Sequence, residues 1–119
     1  MEIPEFLGSR LRNAWVYHGP MHLYVRKSVR VAKRQGEALH NGVLMFDIAN
    51  VNAPEETRGQ GRFWELLGWL LRVLPSGYAG IYIESVLNDR FAESLRKRGL
   101  QEVFTEPLSF ILWRVENDG

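Results

Sequence analysis

The sequence predicts an α/β (α+β) fold: a single mixed, mostly antiparallel sheet with a central parallel βαβ unit and helices on both faces. Three observations carry this expectation. "HLYVRKSVRVA" (22–32) alternates, with Leu23, Val25, Val29 and Val31 on one face and Tyr24, Arg26, Ser28 and Arg30 on the other, as a half-buried strand does. "VLMFDIANV" (43–51) is a nearly continuous apolar run, as expected of a strand covered on both faces. A helical pattern and a further strand follow it, so residues 43–86 read as a crossover whose two strands run parallel with right-handed connection.

Taken in chain order, "EFLGSRLRNAW" suits a short helix with Phe6, Leu7 and Leu11 inward. After the first strand, "KRQGEALHNG" reads as a connecting loop with Gly36 and Gly42 as breakers. "NAPEET" is a turn. Residues 61–74 place Phe63, Leu66, Leu67, Leu70, Leu71 and Leu74 at helical spacing, and Pro75-Ser76-Gly77 ends that helix. "AGIYIESV" is the next strand. Asn88 or Asp89 caps a second helix, "DRFAESLRKR", with Phe91 and Leu95 inward and Gly99 at its C-terminal end. "LQEVFTE" and "LSFILWRVE", separated by Pro107, close the sheet. With 119 residues and no repeat or internal boundary, the expectation is one domain spanning 1–119.

Composition excludes several classes of chemistry. The absence of cysteine rules out disulfides, thiolate metal sites and cysteine nucleophiles, and suits a reducing, cytoplasmic setting. His18, His22 and His40 lack metal-binding spacing, so no metal is expected. The start, "MEIPEFLGSR", is acidic and has no apolar core of a signal peptide, and no apolar run approaches a membrane span. Net charge is only +1 but uneven: residues 1–36 carry seven Lys/Arg against Glu2 and Glu5, and the remainder carries eight basic and twelve acidic residues. The basic third, Arg10 to Arg34, is either a solvated strand face or a surface for an anionic or nucleic-acid-borne partner.

"RGQGR" (58–62) stands at the mouth of the 61–74 helix, where glycine costs stability unless the backbone must do something a side chain would block. A glycine turn that opens a helix presents backbone N–H groups without intrahelical partners, and the helix dipole adds positive potential there. That is the physics of a phosphate site. No G-K-[ST] or G-x-G-x-x-G follows, so neither a Walker loop nor the dinucleotide fingerprint is present; a tight structural turn is the other reading.

The stretch Arg58-Gly59-Gln60-Gly61-Arg62-Phe63 resembles motif A, [Q/R]-x-x-G-x-[G/A], of the GCN5-related N-acetyltransferase (GNAT) superfamily. "VLNDRFAESLRKRGL" resembles its motif B, in which an Asn opens a helix ending in Gly-Phe. The likeness covers residues 43–104, with 1–42 shortened, in the style of the small bacterial and phage-type members. It implies a GNAT-like sheet splayed at the cofactor site, and an N-acetyltransferase that passes an acetyl group from acetyl-CoA to an amine by direct attack. The amides of Arg58, Gly59, Gln60, Gly61, Arg62 and Phe63 then meet the pyrophosphate. The backbone of Val51, Asn52 and Ala53 pairs with the pantetheine arm in the gap between two parallel strands, and Asn88 contacts the same arm. Three positions depart from the family: Phe63 replaces Gly or Ala, Leu95 replaces the Tyr that protonates the leaving thiolate, and Leu100 stands where motif B has Phe.

Glu84 and Asp47 are the candidate general bases. Glu84 lies near where some members hold a base, and Asp47 is a carboxylate inside an apolar run that needs a partner or a cleft. Tyr82, Ser85 and Tyr24 are lesser candidates for proton relay. An aromatic such as Trp15 or Tyr17 is a candidate for stacking on a planar acceptor. Two other readings stand beside the acyltransferase: a GNAT-fold module that binds CoA or a protein without turnover, and a nucleic-acid-directed protein, either a binder or an acyltransferase acting on a nucleic-acid-borne amine; in each case the expectation is a monomer or homodimer.

Overall fold

The structure, a computed structural model, describes residues 1–34, 36–52, 61–105 and 108–115. In chain order it has α1 (Ile3–Leu7), β1 (Asn13–His18), β2 (Met21–Lys33), β3 (Leu39–Asn52), α2 (Arg62–Val73), β4 (Tyr78–Ile83), α3 (Asp89–Lys97), β5 (Gln101–Val103) and β6 (Ser109–Trp113). The six strands form one sheet in the order β1-β2-β3-β4-β6-β5. Only β3 and β4 pair in parallel; the other four neighbouring pairs are antiparallel. The mixed, mostly antiparallel sheet with a central parallel βαβ unit is thus the observed architecture. No described helix is long and apolar enough to cross a membrane.

The layering differs from the expected helices on both faces. Ile3 and Phe6 of α1, Leu66, Leu67 and Leu70 of α2, and Ala92 and Leu95 of α3 join one buried cluster with Leu23, Val25, Phe46, Ile48, Ile81, Ile83 and Phe110 from the strands. A smaller cluster, Ala32, Met45, Tyr82 and Ile111, occupies the opposite face and contains no helix residue. The reason is the handedness of the connections. β3–α2–β4 moves one strand along the sheet, and β4–α3–β5 moves further in the same direction to another parallel strand. Two right-handed crossovers in one direction lay their helices on one face. The β1–β2 connection is a tight turn between His18 and Met21 and inserts no helix on the other.

The open face is concave. The end of β2 curls over to β5, where Gln101 Nε2 donates to the Lys33 carbonyl at 2.7 Å, and the Arg34 guanidinium lies over the Trp113 ring. Val29 and Val31, expected inward, are 69% and 65% exposed, because the part of β2 beyond Arg26 has outrun both β1 and the helices. Leu11 is also exposed, since α1 ends at Leu7. The expected loop over 33–42 is shorter: β3 starts at Leu39, paired with Lys33. At Gly80 the neighbouring strand leaves no room for a side chain, as a Cβ there would sit 2.4 Å from the Leu112 carbonyl oxygen. Arg114 secures the end of α2 by donating to the carbonyls of Leu74 and Pro75.

Candidate functional site

β3 and β4 pair from Leu44↔Tyr78 to Ile48↔Ile83, and the last rung is Glu84 N–H donating to the Ile48 carbonyl at 3.1 Å. Beyond it the strands part. β3 continues against β2, with Tyr24↔Asn50, Leu23↔Val51 and His22↔Asn52. The chain after β4 turns the other way: Ser85 takes a left-handed φ of 56°, its N–H donates to Ser109 Oγ, and Val86 N–H donates to the Leu108 carbonyl. A left-handed serine is a costly conformation, held here by the contacts on either side. Tyr24 faces Asn50 while Val25 faces Ile48, so Ala49 is a bulged residue at the fork. The result is a gap between parallel strands, edged by Val51 and Asn52 on one side and by residues 84–86 on the other. Ala53, Arg58, Gly59 and Gln60 lie outside the described residues.

Four charged side chains meet on the concave face below this fork. Arg30 donates through Nη2 to both Asp47 Oδ2 and Glu84 Oε1, the latter at 3.2 Å. Arg26 donates to Glu84 Oε2 at 3.0 Å. Tyr82 lies beneath Arg30, whose guanidinium is 3.6 Å from the ring centroid, and Arg26 lies over Tyr24 at 5.4 Å. Asp47 and Glu84 are therefore brought to one site, bridged by a single arginine. They differ in access. The Glu84 side chain is 21% exposed, whereas Asp47 is fully buried and its Oδ1 has no hydrogen-bond partner. Burial pushes the Asp47 carboxyl up to about 6, against the pull of Arg30 and with Glu84 adding to the rise. Asp47 holds Arg30, and Glu84 is the more accessible of the two carboxylates. A groove of about 530 Å³ adjoins the cluster, lined by Arg30, Tyr82, Val103 and Ile111 among others.

On the other side of the cluster the β1–β2 hairpin carries a run of aromatic rings. Tyr17 stacks on His22 with centroids 4.3 Å apart and planes within 2°, His22 meets Trp15 at 4.7 Å, and Trp15 meets Tyr24 at 5.3 Å. β1 was absent from the expected elements, because "NAWVYH" is short and its alternation places the aromatics rather than the aliphatics outward. The signal that could have found it is Gly19-Pro20 between two runs of strand-forming residues.

At the mouth of α2, Gly61 is the N-cap residue with φ 74°, and no side chain among the described residues caps the helix. The conformation calls for glycine; space does not, since no described atom lies within 4 Å of a Cβ built there. Arg62 and Phe63 open the helix. Phe63 is drawn toward α3, edge-on to Phe91 with centroids 5.2 Å apart. Asn88 caps α3, its Oδ1 accepting from Phe91 N–H at 3.0 Å, which leaves its amide NH₂ outside the cap. Leu95 is fully buried in the helix-side core. The expected surplus of positive charge at Arg26 and Arg30 is met by the two carboxylates, a pairing invisible until β4 is set beside β3.

No protein-family model and no curated protein matches this sequence. Solved structures do match in fold. An AtaT toxin variant bound to the C-terminus of the antitoxin AtaR and acetyl-CoA shares 14% identity, with 78% of this chain covering 61% of that one and a TM-score of 0.53. The KacTA–DNA complex shares 14% identity at a TM-score of 0.57, covering 79% of this chain and 58% of that one. AtaTR bound with acetyl-CoA gives the same identity and TM-score, covering 79% and 61%. At this identity the likeness is one of fold, and acetyl-CoA is bound in two of these three neighbours. The chain spans about three-fifths of the length of the chains it matches.

Proposed function

We propose that the protein is an acyl-CoA-dependent N-acyltransferase that moves an acetyl group from acetyl-CoA to an amine. The observation that carries this reading is the fork between β3 and β4, with a carboxylate pair at its base and the glycine-led start of α2 following β3. In this reading the backbone of Val51, Asn52 and Ala53 pairs with the amides of the pantetheine arm, and Asn88 offers its NH₂ to the same arm. The turn from Arg58 through Gly59, Gln60, Gly61 and Arg62 to Phe63 receives the pyrophosphate.

The amine nitrogen attacks the thioester carbonyl carbon; the C–N bond forms as the C–S bond breaks, and the thiolate departs. The proton shed by the attacking nitrogen passes to Glu84, the accessible carboxylate, while Asp47 fixes Arg30 and through it the position of Glu84. The thiolate finds no donor at Leu95 and leaves unprotonated.

That same burial of Leu95 favours a second reading, in which the protein binds CoA without turnover. An anionic or nucleic-acid-borne acceptor read through Arg26 and Arg30 has less support, because both guanidinium groups already face carboxylates. Calorimetry with acetyl-CoA, paired with amine-dependent release of free CoA thiol, tests the proposal. Binding with release supports it; binding without release for any amine supports the second reading. Gly61→Val forces a β-branched residue into a left-handed conformation at the phosphate turn, and the expected loss of acetyl-CoA affinity is at least tenfold. Unchanged affinity would move the pyrophosphate elsewhere.

A further inference from the structure

We infer that the acceptor carries a planar aromatic or heteroaromatic group that stacks on the Trp15–Tyr24 side of the β1–β2 hairpin while its amine lies at Glu84. The inference rests on the acyltransferase reading and narrows its acceptor.

The first ground is exposure. Trp15 and Tyr17 are 45% and 54% exposed, although the alternation of β1 turns Val16 fully into the core. Large aromatic rings on the solvated side of a hairpin offer flat apolar area with little entropy to lose on binding. The second is order. Ring contacts lock Tyr17, His22, Trp15 and Tyr24 into a row, with the Tyr17 and His22 planes nearly parallel in their stack. A row already fixed by its own cross-strand contacts is a prepared surface. The third is position. Tyr24 is in register with Asn50 of β3, on the stretch that edges the fork, and Trp15 is in register with Tyr24. Strands are spaced about 4.8 Å apart, so the Trp15 backbone lies about 10 Å from the fork edge. From Tyr24 the row leads to Arg26, whose guanidinium covers the Tyr24 ring and also holds Glu84. A ring resting on the Trp15–Tyr24 pair therefore lies one guanidinium away from Glu84, a separation that a single compact acceptor spans.

The cleanest probe pair is phenylalanine amide and cyclohexylalanine amide. They share the amine, its charge and its spacing, and the saturated ring buries at least as much apolar area. A site that only buries surface treats them alike or prefers the saturated one; a stacking site prefers the flat ring. The expected kcat/KM ratio is about three- to tenfold in favour of phenylalanine amide, the scale of an aromatic pair beyond area burial. In Trp15→Leu the ratio is expected to fall to near one. A wild-type ratio of one or less overturns the inference, and so does an intact ratio in Trp15→Leu, which would put the ring in the groove floored by Tyr82. Tryptophan amide and 5′-amino-5′-deoxyadenosine, compared in the same assay, distinguish an amino-acid ring from a nucleobase; either one exceeding cyclohexylalanine amide supports the stacking site, and neither doing so overturns it. Stacking is also read without turnover, by NMR titration of the Trp15 indole N–H with the two phenylalanine-type probes, assigned against the Trp15→Leu spectrum. A ring-current shift with the aromatic probe alone supports the platform even if no amine is acetylated, an outcome that would count against the acyltransferase reading only. No shift with either probe overturns the platform.

Discussion

The helix-covered face and the concave face of this sheet are made by alternate residues of the same strands. On the covered side, Phe46, Ile48, Ile81 and Ile83 pack under three helices in one continuous apolar cluster. On the concave side the interleaved positions are Asp47 and Tyr82, with Glu84 continuing the series past the end of β4, opposite Arg26 and Arg30 of β2. A one-residue step along β3 thus moves from Phe46, where only volume matters, to Asp47, where charge and hydrogen bonding decide the outcome. The difference teaches where selection for stability and selection for chemistry act: a covered face tolerates apolar exchange of equal volume, whereas each member of the concave cluster is defined by its partner.

Variants sharpen that contrast. The largest effect is expected from Glu84→Gln, which keeps the size and removes the proposed base. At neutral pH kcat should fall by about 10²-fold, with partial recovery at high pH where the free amine is abundant; an unchanged pH–rate profile would take Glu84 out of the mechanism. Leu66→Ala on the covered face should cost about 2–5 kcal/mol of unfolding free energy in a denaturant titration, since Leu66 is fully buried and the helices cannot close over the cavity. A small cost would mean that the core is less close-packed than its burial suggests.

Asp47→Asn probes the boundary between the two regimes. The Asp47 carboxyl titrates near 6 in the fold, above its ordinary 3.8. A carboxyl that holds its proton more tightly when folded favours the fold most at low pH, and this contribution is lost as pH rises from about 4 through about 6. The stability of the native protein relative to Asp47→Asn should therefore fall across that window, read from melting temperatures of both at each pH. A difference independent of pH would show that Asp47 is not protonated in the fold at acidic pH. The smallest effect is expected from Trp15→Leu, which removes a half-exposed ring and its cross-strand contacts and should cost about 1 kcal/mol or less in stability. A larger loss would make the aromatic row part of the structural core.

Much of the fold is legible from periodicity. The βαβ unit, the apolar stripe of α2, the Asn88 cap of α3 and the two closing strands follow from local spacing and turn chemistry, because helix and strand periods act over a few residues. Of the proposed phosphate turn, Gly61 is described, with a φ of 74° that favours glycine, while Arg58, Gly59 and Gln60 lie outside the described residues. The carboxylates were legible as residues out of place in apolar strands, but not as a pair. Asp47 and Glu84 are 37 positions apart, and no local rule predicts that one arginine on β2 will bridge them.

The sequence by itself determined the class of sheet, the parallel crossover and the residues with chemistry to offer, since each depends on side-chain pattern within one element. The tertiary structure decided three things that depend on how elements meet. Two crossovers in one direction put α2 and α3 on a single face, where α1 packs with them. The parting of β3 from β4 after Ile48 rests on a left-handed Ser85 tied to Ser109 of β6. The neutralisation of Arg26 and Arg30, and the exposure of Val29 and Val31, follow from which strands lie beside β2 and where they stop. Register between distant strands is fixed by the whole sheet closing over its core, a sum over many contacts that no single stretch of chain contains.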